Sequence, residues 1–177
     1  MSTSEDINVL IVIDTDYVKE HYTTPSQDPD NPTGIAHTGE YMIAADPRGI
    51  ISGQGTADLN FKANVGDNVS FRGTSIYQNS DDAVIIYDIV KYSGEEVFNT
   101  FTVNQVTRTG AVQPDPDTAN GIPPLQTTQN FLSLDSKVKS AGTENFKVRF
   151  GLYTLDDNGE DQTLYGYFQW DPTITVQ

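Results

Sequence analysis

The chain contains no cysteine among its 177 residues, which excludes disulfides and thiolate metal sites outright. Basic residues are scarce: 10 Lys and Arg stand against 25 Asp and Glu, a formal net charge of −15. Such a field repels phosphate backbones and anionic membrane surfaces, so nucleic acid and membrane are not expected partners. The shortage is uneven, since residues 1–61 hold ten acidic groups against Lys19 and Arg48, and no Lys or Arg follows Arg149. Long apolar runs are also lacking. The run Ile7–Ile13 is too short for a membrane span or a signal peptide, and no basic segment precedes it, so the expected compartment is the cytoplasm. Helical periodicity is nearly missing as well.

Strand signals are what the chain has. Ile7, Val9, Ile11 and Ile13 share one face at period two, and Leu10 with Val12 opposite predicts a strand covered on both faces. Tyr41–Ala45 is a short apolar run closed by the turn Asp46-Pro47-Arg48-Gly49, and Leu59 with Phe61 marks a half-buried strand. After the Gly66-Asp67 turn come Val69 and Phe71. Ala83–Tyr92 is β-branched and suits a central strand, and Val97–Val106 after Ser93-Gly94-Glu95-Glu96 predicts its hairpin partner. Phe146, Val148, Phe150 and Leu152 form the cleanest alternation, Asp156-Asp157-Asn158-Gly159 predicts a hairpin tip, and Phe168 with Trp170 returns. A short last strand, Ile174–Val176, follows Pro172.

Two short helical turns are expected at Thr15–Tyr22, capped by Asp14 or Thr15, and at Ser133–Lys139. Residues 107–145, with four prolines, read as a long excursion packed on the domain. The expectation is a single all-β domain over residues 1–177. It is an antiparallel β-sandwich of Greek-key or jelly-roll type with long proline-rich loops. A doubly wound α/β fold is rejected because Pro25, Pro29 and Pro32 stand where its first crossover helix should finish.

Few motifs carry chemistry. Gly53-Gln54-Gly55-Thr56-Ala57-Asp58 begins like a dinucleotide fingerprint, but Asp58 replaces the third glycine and a strand follows. His21 and His37 lie in no fixed metal spacing, and there is no Gly-x-Ser-x-Gly elbow. Asp81-Asp82 and Glu95-Glu96 are adjacent, so strand geometry points each pair apart. No catalytic residue is therefore assigned, and the chain is not read as an enzyme. Asp28, Asp30 and Asn31 are the candidate calcium ligands, because alternating Asp and Asn can offer several oxygens from one turn. Asp115 and Asp117, and the run Asp156–Asp161, are comparable acidic loops; in all three Asp and Asn are also ordinary turn formers, and the last is most easily explained as a hairpin tip. The rings of Tyr77, Tyr87, Tyr92, Tyr153, Tyr165, Tyr167 and Trp170 belong to the core, to a sugar-stacking face or to a subunit interface.

One resemblance runs along nearly the whole chain. Ile13-Asp14-Thr15, Pro25-Ser26-Gln27-Asp28-Pro29 with Pro32-Thr33, and Tyr41-Met42 carry its first half. Gly53 to Leu59, Val65-Gly66-Asp67 and Gly166-Tyr167-Phe168-Gln169-Trp170-Asp171-Pro172 carry the rest. In these segments the chain resembles the inclusion body protein family, the PixA/AidA-like proteins of Gram-negative bacteria. Having only Met1 and Met42, it departs from the methionine-rich founding member and is more similar to the AidA-like branch. The resemblance implies a non-enzymatic cytoplasmic protein that associates with itself, linked to the stationary phase, quorum sensing or host interaction. The alternative is a lectin-like carbohydrate-binding module assisted by calcium.

Overall fold

The structure, a computed structural model, describes residues 3–177; Met1 and Ser2, the first residues of the N-terminal segment, lie outside the described residues. Two mixed sheets face each other. In chain order the elements are β1 (Asp6–Ile13), α1 (Thr15–His21), β2 (Thr33–Gly34), β3 (Glu40–Ala45), β4 (Ile50–Ser52), β5 (Leu59–Phe61) and β6 (Asn68–Ser75). There follow β7 (Ala83–Gly94), β8 (Thr102–Asp115), β9 (Gly121–Lys137), β10 (Gly142–Leu155), β11 (Gln162–Trp170) and β12 (Thr173–Val176). The first sheet has the order β3-β1-β6-β9-β8. In the second, β10 carries β7 on one edge and β11 and β12 on the other, with β2 beside β11 and β5-β4 beside β12.

The all-β sandwich expected from the alternation is what forms, though not all of it is antiparallel. β1 runs parallel to β6, β2 to β11 and β5 to β12. The inner faces meet in a core of Phe61, Phe71, Phe146, Phe150, Phe168 and Trp170, together with the aliphatic row Ile7, Val9, Ile11 and Ile13. Phe150 stacks on Phe168 at 5.5 Å and meets Trp170 edge-on at 6.1 Å, geometries in which the ring quadrupoles attract. Gly73 in β6 makes room for β7, since any Cβ there would collide with the Ile86 side chain.

Asp14 ends β1 and starts α1, its side chain accepting from the Tyr17 amide at 3.1 Å. The proline-rich connection then runs beside β11 as an ordered edge. Tyr167 N–H donates to the Ser26 carbonyl at 2.8 Å, Ile35 N–H to that of Gln169 at 2.9 Å, and Pro25 packs where Gly166 has no side chain.

Four expectations are corrected. β7 does not pair with the next strand: its partner is β10, with Gly94 opposite Glu144 and Ala83 opposite Tyr153, while β8 pairs with β9. Ser133–Lys139 is not helical, because most of it is the end of β9 against β6. The excursion at 107–145 is not packed down; most of it belongs to one long hairpin, β8–β9, that leaves the sheet. And β1 is covered on one face only, since Leu10 is 39% exposed while its neighbours Val9 and Ile11 are buried.

Candidate functional site

Three segments distant in sequence converge at His37. Its Nδ1 lies 3.4 Å from Asp58 Oδ2 and its Nε2 lies 3.2 Å from Asp171 Oδ1. Asp58 also accepts from the Thr173 amide at 2.7 Å, and Trp170 Nε1–H reaches the Ala57 carbonyl at 3.4 Å. Both imidazole nitrogens thus face carboxylates and neither addresses a hydroxyl nucleophile, so the cluster ties loops together in place of a Ser-His-Asp relay. Gly53, read from sequence as a turn former, is one: its φ is +84° and a side chain there would strike the Asp58 carbonyl. His21 stands apart, with its ring stacked 4.0 Å from that of Tyr17 and its Nδ1 2.9 Å from the Tyr17 carbonyl.

Asp28, Asp30 and Asn31 lie together in an exposed turn. Asp28 Oδ1 accepts from the Asp30 amide at 3.0 Å and Oδ2 from Asn31 Nδ2 at 2.8 Å, and the second bond holds the carboxyl below its ordinary pKa. Both oxygens thus already serve the turn. Asp115 and Asn158 close their loops the same way, accepting from the amides of Asp117 and of Glu160 and Asp161. Among the described residues no group of three or more His, Cys, Asp or Glu side chains is placed to hold a metal ion.

Among the described residues four acids are buried, Glu40, Asp67, Asp82 and Glu144, and sequence reading singled out neither Glu40 nor Glu144. Glu40 is 1% exposed, neither carboxylate oxygen has a hydrogen-bond partner, and burial, with the nearby Asp14 charge, pushes its pKa up to about 8. The alternation Glu40, Met42, Ala44 is the signal that could have found it, because all three point into the core. Glu144 is also buried, but its Oε2 accepts from the amides of Val97 and Phe98 at 2.7 and 3.0 Å.

Surfaces, more than clefts, distinguish the molecule. Among the described residues β9 pairs with β6 only through Leu134–Lys137; beyond that the β8–β9 ribbon has no third strand, and both of its faces are largely open to solvent. Val112 is 66% exposed, Ile122 64% and Phe131 45%. Between Thr102 and Leu134 the only charged residues are Arg108, Asp115 and Asp117. At its base, on the outer face of the first sheet, lies a polar groove of about 510 Å³. Its charged residues, Asp6, Arg72, Asp135 and Lys137, balance two against two.

Fold and surfaces together define a mixed-sheet β-sandwich protein with a projecting two-stranded arm. The family model described as PixA, inclusion body protein, matches residues 5–176. The crystal structure of an inclusion body protein (PixA) from Burkholderia cenocepacia J2315 is similar at 36% identity with a TM-score of 0.81, over 99% of this chain and 98% of that one. Nothing among curated proteins matches the chain. The chain belongs to the PixA inclusion body protein family. Among the described residues no helix is long and apolar enough to cross a membrane.

Proposed function

We propose that the protein is a non-enzymatic assembly protein whose working partner is another copy of itself, accumulating in the cytoplasm. The observation that carries this is the free β8–β9 arm. A two-stranded ribbon is marginal in water on its own, yet this one extends well beyond its sheet and exposes Val112, Ile122, Leu125 and Phe131. Family membership agrees with the reading, and a role in the stationary phase, quorum sensing or host interaction follows from the resemblance to the AidA-like branch. Light scattering on the purified chain across concentration and ionic strength tests it. Association is expected, and it is expected to strengthen with salt as screening removes repulsion between chains of charge −15. A monomer under every condition overturns the reading.

The polar groove favours a second reading, a site for a hydroxyl-rich ligand such as a saccharide. Asn8, Asn68, Asn99, Asn104 and Asp135 offer donors and acceptors along one face. A glycan array with and without EDTA tests this and the calcium assistance together; silence in both conditions overturns it.

A further inference from the structure

The outer face of the first sheet has a two-sided design. On one side β8 and β9 lead into the arm, where Val106 pairs with Phe131 on the same face as the Asn104–Ser133 pair two residues before. On the other side β1 and β3 present an apolar stripe: Leu10 pairs with Ile43 and Val12 with Tyr41, and Leu10, Ile43 and Tyr41 are 39%, 46% and 37% exposed. β6 runs between them as the central strand. Its Arg72 lines both the hollow at the arm's base, with Val106 and Phe131, and the hollow along the stripe, with Leu10 and Ile43.

We propose that two copies pack these faces together, each laying its β8–β9 arm across the Leu10–Tyr41–Ile43 stripe of the other. This rests on the self-association reading and names the surface that performs it. Symmetry suits the layout: a two-fold axis lying in the interface parallel to β6 carries the β8–β9 side of one face onto the β1–β3 side of its mate. Charge suits it too. In a chain of net −15 the groove across this face carries two cations and two carboxylates, and the arm's shaft adds only Arg108 before its acidic tip, so copies can approach here without mutual repulsion.

Area decides between one arm and two. The β1–β3 pair that carries the stripe is short, about 20 Å by about 10 Å, so one arm seated on one stripe removes about 400 Å² in total from water. That falls short of the roughly 1,000 Å² expected of a stable interface, whereas the reciprocal stack also closes the β6 strip between the two seats, and two whole outer faces of about 24 Å by about 26 Å remove about 1,200 Å². A second copy is therefore the occupant that the geometry rewards twice.

The absence of cysteine makes the test clean. Phe131→Cys is placed in one tagged copy and Ile43→Cys in another, and the mixture is oxidised and run on a non-reducing gel. The expected result is a mixed disulfide dimer at least fivefold more abundant than with a control pair of Phe131→Cys and Asp157→Cys, the latter at the β10–β11 tip. In parallel, Phe131→Asp with Leu125→Asp is expected to weaken association at least tenfold by light scattering, with the circular dichroism spectrum and melting curve unchanged. Association of the parent without the mixed disulfide, or association indifferent to the arm variant, overturns this interface while self-association stands. A parent that is monomeric throughout overturns both.

Discussion

Arg48 and Asp67 form a two-point ion pair: Arg48 Nε donates to Asp67 Oδ2 at 2.5 Å and Nη2 to Oδ1 at 2.8 Å. The same carboxylate accepts from the amides of Glu5 and Asn64 at 2.9 and 2.7 Å, so it joins the entry to β1, the β3–β4 turn and the turn before β6. The hydrogen bonds from Arg48 in the first place, and those amides after it, hold its pKa well below the ordinary value of 3.8.

Asp67→Ala is accordingly expected to lower the unfolding free energy by about 2–3 kcal/mol, because two backbone amides lose their acceptor in a buried place. Urea titration at pH 7 checks this. The acid limb follows from the direction of the shift: the contribution is present above pH 3.8 and is lost as pH falls through the lowered folded value. The gap between parent and variant should therefore narrow on acidification below pH 4.

Glu144 sets up the departure of the arm by holding the amides of Val97 and Phe98, which lie between β7 and β8. Glu144→Ala is expected to destabilise by about 2–4 kcal/mol, since two buried donors go unpaired. Hydrogen exchange should show those two amides losing protection. Protection retained there would mean the segment is held by its other contacts.

Glu40 has the opposite sign of linkage. Its folded pKa, about 8, lies above its unfolded value of 4.5, so its contribution is fully present below pH 4.5 and lost as pH rises through about 8. Glu40→Gln keeps the shape and removes the titration. The parent is expected to lose stability relative to this variant between pH 5 and 8, at no more than about 1.4 kcal/mol per pH unit. Parallel denaturation curves at pH 5, 6.5 and 8 check it, and a difference constant with pH would refute it.

Gly166 admits Pro25 against β11, and any Cβ there meets the proline ring and the Ser26 carbonyl. Gly166→Val is expected to cost about 1–3 kcal/mol through overpacking, and the proline connection should become the first site of limited proteolysis. Unchanged proteolysis would show that the connection is held without that contact.

What could be read from the chain was local. The Ile7–Ile13 alternation, the Asp14 cap, the turn at Asp156–Gly159 and the buried face of Phe146–Phe150 each depend on neighbours a few residues away, and each stands where its pattern put it. The candidate ligands Asp28, Asp30 and Asn31 were likewise legible as a turn, which is how their hydrogen bonds use them. The arm was not legible, because Gln, Asn, Thr and Pro spell a loop when taken singly. Its strands exist through cross-strand pairs such as Val106–Phe131 and Thr107–Asn130.

The sequence by itself determined an all-β, cysteine-free, strongly acidic chain of the inclusion body type. Its period-two apolar pattern leaves one face of most strands to be buried, and a second sheet is the way to bury them. Tertiary structure alone decided which strands meet: β7 with β10, β1 parallel to β6, and His37 between Asp58 and Asp171. Those pairings are set by closing both sheets over one shared core, a condition on the whole chain that no local stretch carries. Among the described residues the same closure leaves the β8–β9 ribbon beyond Leu134 without a third strand, and so gives the molecule the arm on which its proposed function rests.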